Sequence, residues 1–63
     1  MWTAVYVVEG VEEAKIIQRR LEEEGFLVKL KIFSKDSNGI LYTILAPEFE
    51  AYEIHKVLVD LGY

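Results

Sequence analysis

The chain of 63 residues reads as one α+β domain of order β-α-β-β-α, on three observations. Two segments place apolar residues at helical spacing, three short runs around them have the apolar or alternating pattern of strands, and Asn38-Gly39 joins the second run to the third. A right-handed crossover sets the first two strands parallel, and the returning third strand fits between them. The expectation is a three-stranded mixed sheet of order 2-3-1 with two helices on one face.

The first run, MWTAVYVV, is apolar on both alternating sets: Trp2, Ala4, Tyr6 and Val8 on one side, Thr3, Val5 and Val7 on the other. A strand covered on one side only alternates with polar residues, so something must bury the second face. Gly10 then stands at a helix N-cap, and Val11, Ala14, Ile17 and Leu21 recur at helical spacing. Glu12 and Glu13 suit the positive helix end, Gly25 supplies the left-handed stop, and Phe26 is placed to fold back over the last turn. Residues 27–33, LVKLKIF, alternate Val28, Leu30 and Ile32 with Leu27, Lys29, Lys31 and Phe33. After the Asn38-Gly39 turn, where both residues tolerate positive φ, ILYTIL over residues 40–45 returns as an antiparallel strand. Pro47 fits the first position of the last helix, which runs to Leu61 and stops at Gly62. Its core stripe is Ala51, Ile54, Leu58 and Leu61, with Val57 at the edge. Phe49, Tyr52 and Val59 cluster on nearly the opposite side, with Tyr63 and Lys56 alongside.

A domain this small buries only about 60% of the surface its unfolded chain exposes, so its stability margin is thin. With no cysteine, disulfides, thiolate zinc sites and cysteine nucleophiles are excluded, which fits a reducing compartment. No basic stretch precedes an apolar one at the N-terminus and no apolar run reaches the roughly 20 residues a bilayer needs, so a cytoplasmic protein is expected. The formal charge of −4 argues against a phosphate backbone as default partner.

MWTAVYVVEG at the start, LEEEGFLVKLK at the first helix end, YTIL followed by APE, and the closing EIHKVL resemble a family of short bacterial domains described as signal-transducing proteins. The similarity covers nearly the whole chain. It implies a ferredoxin-like β-α-β-β-α fold, and its motifs are structural ones that carry no reaction. Some stand-alone relatives bear a glutamate decarboxylase label, an activity whose pyridoxal-phosphate lysine needs a much larger enclosing fold. No cofactor and no catalytic residue are therefore expected here.

The side chains support that expectation. His55 has Glu48, Glu50, Glu53 and Asp60 near it in sequence, but Glu53 and His55 are two apart and point to different sides of a helix. A solvated surface accounts for them better than a metal site. Glu9, Glu12 and Glu13 around Gly10 repel an anion where the helix dipole would attract one. Thr3, Ser34, Ser37 and Thr43 have no histidine or lysine at motif spacing and read as strand and turn residues. Tyr6 and Tyr42 occupy the strands that carry aromatics in RNA-recognition sheets, yet the basic-Gly-aromatic run of that motif is missing.

Association remains as the functional reading. Two helices cover one face of a three-stranded sheet, and two facings of the strands stay open. In the first, Thr3, Val5, Val7, Leu41, Thr43 and Leu45 lie on the uncovered face with Lys29 and Lys31; in the second, Trp2, Tyr6, Tyr42 and Ile44 do. The first set is the candidate interface of a homodimer, and Phe49, Tyr52 and Val59 are its rival. A small-metabolite sensor binding between subunits is the alternative function, with an RNA-binding sheet a weaker second; another protein or a small metabolite is the other open partner, and neither nucleic acid nor membrane is expected as one.

Overall fold

Strand β1 (Trp2–Glu9) leads into helix α1 (Val11–Glu23), followed by strands β2 (Lys29–Asp36) and β3 (Gly39–Pro47), a 3-10 turn (Glu48–Glu50) and helix α2 (Ala51–Asp60). The computed structural model describes all 63 residues. The β3 strand is central, so the order is β1-β3-β2. Both outer strands run antiparallel to β3 and hence parallel to each other, as the crossover requires. Because β3 separates them, every hydrogen-bonded pair is antiparallel. The sheet is therefore an antiparallel one, and the mixed pairing read from the sequence is corrected.

Two extra residues set the facing of the strands. Ala4 opposes Leu45 and Tyr6 opposes Ile44, so Val5 is a bulge in β1; in β2, Ile32 opposes Tyr42 and Ser34 opposes Leu41, so Phe33 is another. The first bulge turns Val5 and Tyr6 together toward Ile44. From there Val8 shares the face of Tyr42, while Val7 and Glu9 share the face of Thr43 and Leu41. The second bulge places Phe33 and Ser34 together opposite Leu41.

The core lies between one face of the sheet and both helices. Val5, Val28, Ile44 and Ala46 from the sheet side pack with Ile17 and Leu21 of α1 and with Ile54 and Leu58 of α2. Phe26, Leu30, Ala51, Val57 and Tyr63 border this cluster. Burying one large aliphatic side chain contributes about 1.5–3 kcal/mol, and only Ile17, Leu21, Ile44 and Ile54 are large and fully buried. Loss of any one of them removes a large share of the stability of so small a core.

Both helices end in the same way. Phe26 N–H donates to the Leu21 carbonyl (3.1 Å) and Gly25 N–H to that of Glu22 (2.9 Å). Tyr63 N–H donates to Leu58 (2.8 Å) and Gly62 N–H to Val59 (3.0 Å). These are Schellman pairs, which satisfy carbonyls that the helix leaves unpaired and need a left-handed residue. Gly25 and Gly62 provide it, at φ 95 and 96. The second pair brings Tyr63 inward, where its ring meets Tyr6 edge-on at 5.9 Å and its hydroxyl donates to Glu13 Oε2 at 2.8 Å. Tyr63 thus joins α1 to the chain end instead of extending the outer stripe of α2.

Other boundaries differ from the sequence reading. Pro47 is the last residue of β3, paired with Trp2, and its ψ of 138 caps the 3-10 turn without starting α2. Glu48 N–H is held by the Met1 carbonyl at 2.9 Å, which carries the sheet geometry past the proline. The hairpin turns on Ser37 and Asn38, which both keep negative φ; Asn38 N–H donates to Asp36 Oδ1 at 2.8 Å, and Gly39 alone has positive φ. Leu27 lies before β2 and is exposed.

Two measurements check these contacts. Gly25→Ala meets no steric obstacle but forces a Cβ into a positive-φ position, so it is expected to cost about 1–2 kcal/mol and to lower the melting temperature by several degrees. The hydrogen bond to the Glu13 carboxylate, then burial and the Glu13 charge, raise the Tyr63 pKa above its ordinary 10.0, with Arg20 opposing. The folded chain therefore holds this proton more tightly than the unfolded one. The resulting stabilisation is complete below pH 10.0 and is lost as pH climbs through the folded value. Denaturation of the wild type and Tyr63→Phe across this range is expected to show a difference in stability that shrinks with rising pH.

Candidate functional site

The sheet face turned away from the helices is the largest feature without a cover. Its middle column is Leu41, Thr43 and Leu45 of β3; β1 adds Ala4 and Val7, and β2 adds Lys29, Lys31 and Phe33. Val7 is 43% and Phe33 64% exposed, whereas Thr43 is 7% exposed although no helix covers it. Side chains of the flanking strands shield it, with Val7 on one side and Lys31 on the other.

At one end of this face the Lys29 ammonium stands 4.0 Å from the Trp2 ring centroid. Trp2 belongs to one edge strand and Lys29 to the other, so the contact spans the central strand near Leu45. A cation held over an indole gains from the ring quadrupole, about 0.5–1 kcal/mol where solvent reaches it. It draws the lysine charge from one edge of the face to the aromatic ring on the other.

Four of the six residues of the candidate interface are brought together here: Val7, Leu41, Thr43 and Leu45. Val5 is not among them. The bulge sends it into the core, where it is 6% exposed. Thr3 opposes Ala46, which is a core residue, so it belongs to the helix-covered side as well. The double apolar set of MWTAVYVV suits a strand buried on both faces as well as a bulged one, so nothing in it marked the extra residue. Trp2, Ala4 and Phe33 join the open face for the same reason.

The rival surface is exposed too. Phe49, Tyr52 and Val59 are 85%, 73% and 70% exposed on the outer side of α2 and the turn before it. Between Tyr52, His55, Lys56, Val59 and Asp60 lies a shallow groove of about 360 Å³. Lys56 reaches toward Glu53 (4.0 Å) and stands 5.5 Å from the Tyr52 centroid.

Other residues singled out in the sequence lie apart from both surfaces. Tyr6 and Tyr42 share the helix-covered face with Ile44, and Tyr6 packs on the core and on Tyr63. They offer no stacking platform on the open face. Glu9, Glu12 and Glu13 line an open hollow at the start of α1, where three carboxylates oppose the attraction of the helix end for anions. Ser34 and Asp36 border a hollow of about 180 Å³ beside the hairpin, below the roughly 300–1,000 Å³ of ligand pockets. No three His, Cys, Asp or Glu side chains are grouped to hold a metal ion, and no helix is long and apolar enough to cross a membrane. Comparison with protein-family models, with curated proteins and with solved structures gave no match.

Proposed function

We propose that the chain is a non-enzymatic regulatory module of the ferredoxin-like type, of the kind described as signal-transducing, which acts in the cytoplasm as a homodimer paired through its open sheet face. The observation that carries this reading is the row Ala4, Val7, Leu41, Thr43, Leu45 and Phe33 on the side away from the helices. Two-layer sheets in soluble domains turn polar residues to water on such a face. Its charged side chains, Glu9, Lys29 and Lys31, come from the two edge strands, which leaves the central strand apolar apart from Thr43.

The dimensions set the strength of the pairing. Three strands at about 4.8 Å spacing and eight residues at about 3.3 Å give a face of roughly 380 Å² per copy. Two such faces come to less than the roughly 1,200 Å² of standard stable interfaces, so the dimer is a weak one that depends on concentration. Reversible pairing of this kind suits a regulatory element.

Light scattering over a concentration series tests the reading. The wild type is expected to reach dimer mass at high micromolar concentration, and the emission of Trp2, the one tryptophan, to shift to the blue as it does so. Val7→Glu places a charge on the exposed face without entering the core and is expected to give a folded monomer with no such shift. A wild type that stays monomeric over the whole series overturns the reading.

A further inference from the structure

The outer side of α2 has a geometry of its own. Tyr52, Lys56 and Val59 on α2, with Phe49 on the 3-10 turn that leads into it, follow one another at spacings of three, four and three, the spacing of a seam that packs on another helix. The groove of about 360 Å³ is bordered by Tyr52, His55, Lys56 and Val59. Residues at i, i+3, i+4 and i+7 are the four that form the hole for a knob from a facing helix. The three apolar members of the seam are 70% exposed or more, so the hole stands empty on the surface.

The positions beside the seam identify the partner. In heptad terms they are Glu48, Glu53, His55 and Asp60, three carboxylates and an imidazole. A second copy is a poor fit. Antiparallel pairing sets Glu53 and Asp60 against copies of themselves, and parallel pairing sets them against Glu48 and His55 while placing Lys56 on Lys56. A helix carrying lysine or arginine on its flanks meets these carboxylates with opposite charge along its length.

The geometry points to a second docking surface on α2, built to receive an amphipathic helix of another protein with apolar knobs and basic flanks. The seam from Phe49 to Val59 is about 15 Å long, so it engages about three turns of that helix. Lys56, the one polar residue of the seam, fixes the register by requiring an acidic or neutral polar residue opposite it. This surface is separate from the open sheet face, and one chain can use both at once.

A fluorophore-labelled synthetic helix of about three heptads, with leucine at the seam and lysine at the flanks, is the probe; its twin carries glutamate at the flanks. Anisotropy with the wild-type protein is expected to show binding of the lysine helix that weakens with salt, and at least about tenfold weaker binding of the glutamate helix. Tyr52→Glu and Val59→Glu are expected to weaken the lysine helix by at least about tenfold. Each adds a negative charge, so attraction of a cationic peptide to an acidic protein by charge alone would strengthen instead. Retention of the lysine helix by both variants, or equal binding of the two peptides, overturns the inference. Light scattering separates this surface from the other: both variants are expected to keep the dimer, and Val7→Glu to bind the lysine helix while monomeric. A loss of dimer in Tyr52→Glu assigns the seam to a second copy and likewise overturns it.

Discussion

Helices of thirteen and ten residues cover one face of a three-stranded sheet and have nothing left for the other. The rest of the arrangement depends on that limit. With ten residues buried, the chain gains what it can from one cluster around Ile17, Leu21, Ile44 and Ile54, and beyond scattered exposed residues such as Val11, Leu27 and Ile32 it groups apolar side chains on two surfaces that the fold does not close. One is the open sheet face; the other is the outer side of α2. The core of the monomer and its two open surfaces thus draw on the same small stock of apolar residues, and each assignment of a side chain to one removes it from the other.

The bulge at Val5 makes that division within β1. A regular strand would deliver Thr3, Val5 and Val7 to one side and Ala4, Tyr6 and Val8 to the other. The extra residue lets Val5, Tyr6 and Val8 all serve the helix-covered side, while Ala4 and Val7 serve the open one. β3, Val7 and the lysines thus follow the first of the two facings read from the alternation, with Thr3 and Val5 excepted, and of the second only Trp2 lies on the open face. Strand order, helix stripes and the Gly25 and Gly62 stops were legible in the sequence because each rests on local chemistry: periodicity, a left-handed residue, a turn. The bulges were not legible, since a one-residue slip is decided by how two strands align across the sheet, which no single strand encodes. Pro47 was misplaced for a similar reason. Its fixed φ suits a helix start and a strand end alike, and the hydrogen bond from Glu48 to Met1 decides between them.

The seam on α2 was half legible. Spacing alone placed Phe49, Tyr52 and Val59 together, although Phe49 sits on the 3-10 turn that leads into the helix of the other two. Tyr63 continues the same spacing, yet the Schellman turn at Gly62 diverts it to Tyr6 and Glu13. The chain end thereby ties the last helix to the first. That closure matters in a domain whose helices share few other polar contacts, for the ion pair of Lys56 with Glu53 lies within one helix.

The two bulges also bear on how far association can grow. Both outer strands, β1 and β2, present unpaired backbone that a neighbouring molecule could extend into a continuous sheet, and an apolar chain of this size would be at risk of forming fibrils by that route. Each of these strands is interrupted near its middle, at Val5 and at Phe33, so neither offers a long straight edge for a further strand. The lysines at positions 29, 31 and 35 add charge along β2. Polymerisation along the edges is blunted by the same irregularities that sort the side chains, and the molecule can keep an apolar face without becoming a template for its own aggregation.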